Sequence, residues 1–202
     1  MKKYLLPIIL TSILFYACKS KRAADAGVKM NETDITASDT SKVAPSFFPV
    51  TNYILGQVTE IKKTYTSVKY YLKRDGHLDS TILKPEGFEL YLDELRHPAI
   101  DSVSMSKYFR EVKFNDETLG LTTLTYDPVG ALPDNIPWKR WDVYIEPETG
   151  FVKRIYMVKR ISADRIAQFT WLSAEQFKMV FINDKDAEHP KVIDEMLFKW
   201  VY

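Results

Sequence analysis

From Leu121 to Tyr202 the chain is a succession of short β-rich runs: LTTLTY, WDVYIEP, FVKRIYMVKR, IAQFTWL, FKMVFI and MLFKWVY, each set off by turn residues. Runs of this length and spacing have one economical solution, an antiparallel meander in which each strand pairs with the one before it. Glu146-Pro147-Glu148-Thr149-Gly150 is the clearest loop between two of them. Upstream, SVKYYLK and LDSTIL flank Arg74-Asp75-Gly76-His77, and Asp-Gly is the pair that tolerates the positive φ of a tight hairpin turn. Two helices complete the set. Phe47, Val50, Ile54, Val58 and Ile61 recur at helical steps, Pro49 suits the first turn, and Lys62 and Lys63 suit the negative end of the helix dipole. Lys84-Pro85-Glu86 starts a second helix that carries Phe88, Leu92 and Leu95 on one side and ends before Pro98. The expected fold is α+β: an N-terminal helix and one further helix packed on a large, curved, mostly antiparallel β-meander sheet, with a half-barrel as its most curved form.

The strand faces raise the functional question. A sheet with one wet face alternates apolar and polar residues. Here Trp141, Val143 and Ile145 oppose Asp142, Tyr144 and Glu146, while Phe151, Ile155 and Met157 oppose Val152, Tyr156 and Val158. Phe198, Trp200 and Tyr202 oppose Leu197 and Val201. Apolar residues on both faces mean that both are at least partly covered, and two helices cannot cover both sides of a broad sheet. Twist and capping loops bury patches on the second face of many sheets. The alternative is a curled sheet whose concave side holds an apolar ligand, or a face that docks an envelope partner. Trp138, Trp141, Tyr144, Tyr156 and Trp171 are the candidate ligand- or partner-binding residues. Pro137-Trp138-Lys139-Arg140-Trp141 interleaves aromatic and basic residues in a way that suits a membrane interface, a sugar or a protein hot spot. Its plainer reading is a Trp entering the core at a strand start beside solvated charges.

The stretch VYIEPETGFVKRI, Val143 to Ile155, is similar to the strand–turn–strand style of the lipoprotein carriers LolA and LolB. That resemblance implies an open half-barrel closed by helices around acyl chains, and it transfers no functional residue. A second resemblance lies at the N-terminus. Lys2 and Lys3 precede an apolar stretch from Tyr4 to Tyr16, and Ala17 stands directly before Cys18, the single cysteine in 202 residues. The run is shorter than the approximately 20 apolar residues that a bilayer crossing takes, so it reads as a secretory signal. A small residue followed by Cys at its end resembles the lipobox of bacterial lipoproteins, although Phe15 and Tyr16 depart from the usual residues there. The resemblance implies cleavage before Cys18, acylation of its thiol, and an anchor in the cell envelope. With Lys19 following the anchor, the sorting rules of that family favour the outer membrane and a periplasm-facing domain.

The expected organisation is a signal peptide over 1–17, a lipidated Cys18 with a tether over 18–46, and one globular domain over 47–202. The tether stretch is rich in Ser, Thr, Asp and Ala with no hydrophobic period, which predicts disorder. Removing Lys2 and Lys3 takes the formal charge from +1 to −1, which leaves no electrostatic footprint for nucleic acid. With its cysteine at the anchor, the folded part lacks disulfides, thiolate metal sites and thiol catalysis. His77, His97 and His189 show no zincin spacing. Asp184, Asp186, Glu188 and Glu195 match the ligand spacing of a calcium loop, but His189 occupies the position that requires Gly and no helices flank it, so a solvated hairpin loop is the favoured reading. No nucleophile elbow, phosphate-cradling loop or dinucleotide fingerprint occurs. The expectation is a non-catalytic, cofactor-free, lipid-anchored binding module whose ligand is a hydrophobic small molecule or whose partner is an envelope protein.

Overall fold

The computed structural model describes residues 46–202 apart from 187. The signal, Cys18 and the tether therefore lie outside the described residues. The architecture is an open nine-stranded antiparallel sheet in the order β2-β1-β9-β8-β7-β6-β5-β4-β3, with helices on one face. From β3 (Phe109–Asp116) through β4 (Leu121–Pro128), β5 (Trp138–Ile145), β6 (Val152–Ser162), β7 (Arg165–Leu172), β8 (Gln176–Asn183) and β9 (Lys191–Val201), each strand pairs with its sequence neighbour. The hairpin of β1 (Ser67–Arg74) and β2 (His77–Leu83) then adds on the far side of β9. Its turn residues Asp75 and Gly76 take φ of 49° and 81°, as the Asp-Gly pair requires.

The first helix, α1 (Val50–Thr64), buries Val50, Ile54, Val58 and Ile61 against the sheet. Phe47 precedes it rather than belonging to it, and its ring still packs edge-on against Tyr126 at 5.0 Å. The approach to the helix is fastened twice: Phe47 N–H donates to Ser102 Oγ at 2.6 Å, and Phe48 N–H donates to Tyr126 Oη at 3.0 Å.

The expected second helix is broken into α2 (Pro85–Phe88), a 3₁₀ turn over Glu89–Leu92 and α3 (Asp93–Arg96). Leu92 adopts φ −96° and ψ −1°, a bridge conformation that interrupts the i→i−4 ladder. Phe88, Leu92 and Leu95 are buried as their spacing requires. A short α4 (Ser102–Met105), capped by the Asp101 carboxylate accepting from Ser104 N–H, follows.

Two features depart from the sequence expectation for simple reasons. β3 is an edge strand exposed along almost its whole length, so it shows no burial alternation to read. The β5–β6 pair carries register shifts between Trp138 and Arg140 and between Tyr144 and Ile145. Each shift inserts an extra residue and moves later side chains to the other face. Trp138 thereby joins Trp141 in the core, and Val152, expected beside Tyr156, instead pairs with Ile145 and is buried. Phe151, expected beside Ile155, is exposed.

The core is aromatic. Phe88 from α2 touches Trp171, Phe177, Phe198 and Trp200 at centroid distances of 5.0–6.4 Å. Tyr126 and Trp141 stack at 4.8 Å. Lys159 is the exception among these apolar groups. Its buried ammonium donates to Glu94 O at 2.7 Å, Glu94 Oε2 at 2.8 Å and His97 O at 2.9 Å, which ties the end of α3 to β6.

Candidate binding face

Because the helices take one face, the other face is left open, and its residues follow from the period of two. β5 contributes Arg140, Asp142 and Tyr144, β6 contributes Arg154, Tyr156 and Val158, and β7 contributes Thr170. Together they line a shallow groove of about 470 Å³.

The groove is organised around one buried carboxylate. Asp142 Oδ1 accepts from Thr125 Oγ1 at 2.6 Å and from Arg140 Nη2 at 3.1 Å, and Oδ2 accepts from Arg140 Nε at 3.2 Å. The forked pairing holds the Arg140 guanidinium, with Asp127 Oδ1 at 3.9 Å from the same Nε. Arg154 stacks its guanidinium on the Tyr144 ring at 3.9 Å. Burial, then the Asp142 charge, raise the Tyr156 phenol above its usual range, so it stays a neutral donor at physiological pH. A guanidinium–phenol platform of this kind offers planar stacking and hydrogen-bond donors.

A second groove, of about 270 Å³, lies further along the same face between Tyr71, Lys73, Leu78, Glu195, Leu197 and Lys199. On the opposite, helix-covered face the space where α1, the helical segment and β6 meet is about 10 Å³, close to the least that holds one water.

The expected site residues divide accordingly. Tyr144 and Tyr156 lie on the open face, in one groove. Trp138, Trp141 and Trp171 do not join them. All three are fully buried between sheet and helices, and the Trp138 indole N–H donates to Pro98 O at 2.7 Å. Their expected role at a binding surface is corrected: the register shift between Trp138 and Arg140 turns Trp138 inward, Trp141 lies on the buried face with Val143, and Trp171 joins the aromatic cluster around Phe88. The plainer reading of Pro137–Trp141, a Trp entering the core, describes Trp138. Arg140 stood in the basic–aromatic motif of the sequence, while Arg154 and the lysines of β1 and β9 were not singled out. Their signal was present in SVKYYLK, where Lys69, Tyr71 and Lys73 alternate with Val68, Tyr70 and Leu72.

The acidic residues of the calcium-like spacing are spread apart: Asp184 pairs with Arg160 and Glu195 with Lys178, while Asp186 shares a hydrogen bond with the His189 ring. Glu195 lies within β9, on the open face. Among the described residues no three His, Cys, Asp or Glu side chains are grouped to hold a metal ion, and no helix is long and apolar enough to cross a membrane. Comparison with known proteins found no family model, no curated protein and no solved structure that matches the chain.

Proposed function

We propose that the protein is a lipid-anchored, non-catalytic envelope module that works by binding through the open face of its sheet. The observation that carries this reading is the division of the sheet. One face is covered by helices, and where α1 and the helical segment meet β6 the space is only about 10 Å³, while the other presents a built Arg140–Asp142–Tyr144–Arg154 groove of about 470 Å³. The carrier-like version, with an apolar ligand between helices and sheet, has little room at that meeting point, so the alternative of a docking face is the better supported one. The anchor rests on Cys18 and the residues before it. A bacterial lipoprotein carries several acyl chains, each contributing about 0.8 kcal/mol per buried CH₂, which makes such an anchor stable.

Two measurements test the two parts. Cys18→Ser should abolish acyl labelling and release the mature protein from the membrane fraction. A variant that still pellets with membranes, from a chain never acylated, refutes the anchor. Photocrosslinkable residues at Tyr144 and Tyr156 in intact cells should give discrete adducts, and positions on the exposed loop 163–164 should not. Adducts at the loop alone would refute the open face as the working surface.

A further inference from the structure

The half of the open face formed by β2, β1, β9 and β8 has a different chemistry from the Arg–Tyr groove. Strand register sets its side chains in three rows: Ile82–Lys69–Lys199–Gln176, Ser80–Tyr71–Leu197–Lys178, and Leu78–Lys73–Glu195–Val180. Glu195 is the acid in these rows, and it is already paired with Lys178 at 3.1 Å. Lys69, Lys73 and Lys199 have no ion-pair partner among the described residues. Lys69 and Lys199 stand directly opposite each other across the β1–β9 pair, an arrangement of like charges that costs stability. The whole chain carries a formal charge of only +1, so this patch reflects segregation of charge and not a general excess.

The same rows carry uncovered apolar groups. Leu78 is 67% and Ile82 70% exposed at the sheet edge, with Tyr71 and Leu197 half-buried between them. Lysines interleaved with exposed aliphatics match the headgroup zone of an anionic bilayer. The ammonium groups meet lipid phosphates while the lysine stems, Leu78 and Ile82 reach the acyl boundary. Two open grooves, of about 270 and 490 Å³, mark this half of the sheet, and Tyr71 is the aromatic side chain that lines them, so they lack the clustered aromatic and arginine anchors of a protein hot spot.

We infer that this lysine-rich half of the open face docks on an anionic lipid surface. The inference deepens the reading of the open face as the working surface and rests on it. The acyl anchor fixes one end of the chain, and a second, electrostatic signal adds to it. Here the sheet face is the second signal, and it turns a tethered domain into one held face-down with the Arg–Tyr groove beside the headgroups.

The test uses the chain from residue 19, which keeps every described residue and omits both the apolar leader and Cys18. It is sedimented with vesicles of phosphatidylglycerol and phosphatidylethanolamine, or of phosphatidylcholine alone. The expected result is binding to the anionic vesicles, weak binding to the neutral ones, and steep loss as salt rises. Each lysine contributes on the order of fivefold in affinity, so Lys69→Glu with Lys199→Glu should reduce binding at least 25-fold on that scale. Lys113→Glu, on the far edge strand, should leave binding unchanged. Lys199→Glu alone places opposite charges across β1 and β9, so its melting temperature should hold or rise while its vesicle binding falls. This separates lost docking from lost fold. Equal binding to neutral vesicles, no binding at all, or equal loss with Lys113→Glu overturns the inference. So does a photocrosslinker at Leu78 that captures protein and no lipid in cells. If crosslinks at Tyr144 and Tyr156 persist while vesicle binding is absent, membrane docking falls and the binding-module reading stands.

Discussion

Lys159→Met separates two accounts of how the helical segment is fastened to the sheet. Methionine keeps most of the length and packing volume of the aliphatic stem and removes the ammonium, which lies 5.3 Å from the centre of the Trp138 ring. That ammonium donates to two backbone carbonyls, Glu94 O at 2.7 Å and His97 O at 2.9 Å, in a site where the lysine side chain is 7% exposed. A buried acceptor left without its donor costs about 1–3 kcal/mol. The third bond, to Glu94 Oε2, counts for less, because that carboxylate is 47% exposed and water replaces the lysine; exposed pairs contribute about 0–1 kcal/mol. The expected loss is about 2–5 kcal/mol, close to the 3–5 kcal/mol seen when one partner of a buried charged pair is removed. For a domain of this size each kcal/mol moves the melting temperature by about 2–4 °C. Thermal and urea unfolding of Lys159→Met and Glu94→Gln should therefore differ clearly, with Glu94→Gln within about 1 kcal/mol of the parent. If Lys159→Met is nearly neutral, or if Glu94→Gln costs as much, the carbonyl ties do not hold the segment and the aromatic contacts of Phe88 do.

Phe88→Ala removes the ring that four core aromatics surround and should destabilise by about 3–5 kcal/mol in urea titration. Tyr126→Phe removes the acceptor for Phe48 N–H while keeping the ring stacked on Trp141, so a loss of about 1 kcal/mol is expected. The buried Asp194 carboxylate accepts from Arg74, which holds its pKa below the ordinary range. A depressed folded-state pKa adds stability above the unfolded value of about 4 and loses it as pH falls through the folded value. Melting temperatures between pH 3 and 7 should accordingly drop less steeply in Asp194→Asn than in the parent, and parallel curves would refute the pairing as a source of acid sensitivity.

Residue periodicity carried much of the architecture. Alternation in the meander strands, the Asp75-Gly76 turn and the Val50–Ile61 stripe each depend on contacts local in sequence, and these elements form where the pattern puts them. What local pattern could not carry was register. One extra residue at each β5–β6 shift inverts the faces beyond it, and this moved Trp138 and Val152 into the core and Phe151 out of it. The fracture of the second helix at Leu92 was hidden for a related reason, since the bonds that stabilise its ends come from Lys159, 62–65 residues away. Edge strand β3 showed no pattern because it is exposed from Arg110 to Asn115.

The open face was half legible for the same reason. Tyr144 and Tyr156 were visible as aromatics facing away from Trp141 and Ile155 in a hairpin whose loop the sequence marked, and both lie between the two register shifts. Lys69 and Lys199 lie 130 positions apart and become neighbours only because β9 inserts between β8 and β1. That insertion makes the last strand of the chain a central one, and it places two unneutralised lysines side by side where an acid at either position would have stabilised the sheet. A fold selected for stability alone has no reason to keep that pair. The repulsion is offset once an anionic surface lies across both ammonium groups, so the cost in the free domain and the gain on the membrane are two readings of one cross-strand contact. Lys199→Glu should reverse their signs together, adding stability and removing attachment; a variant that gains stability while binding anionic vesicles as tightly as the parent would leave the pair without a purpose.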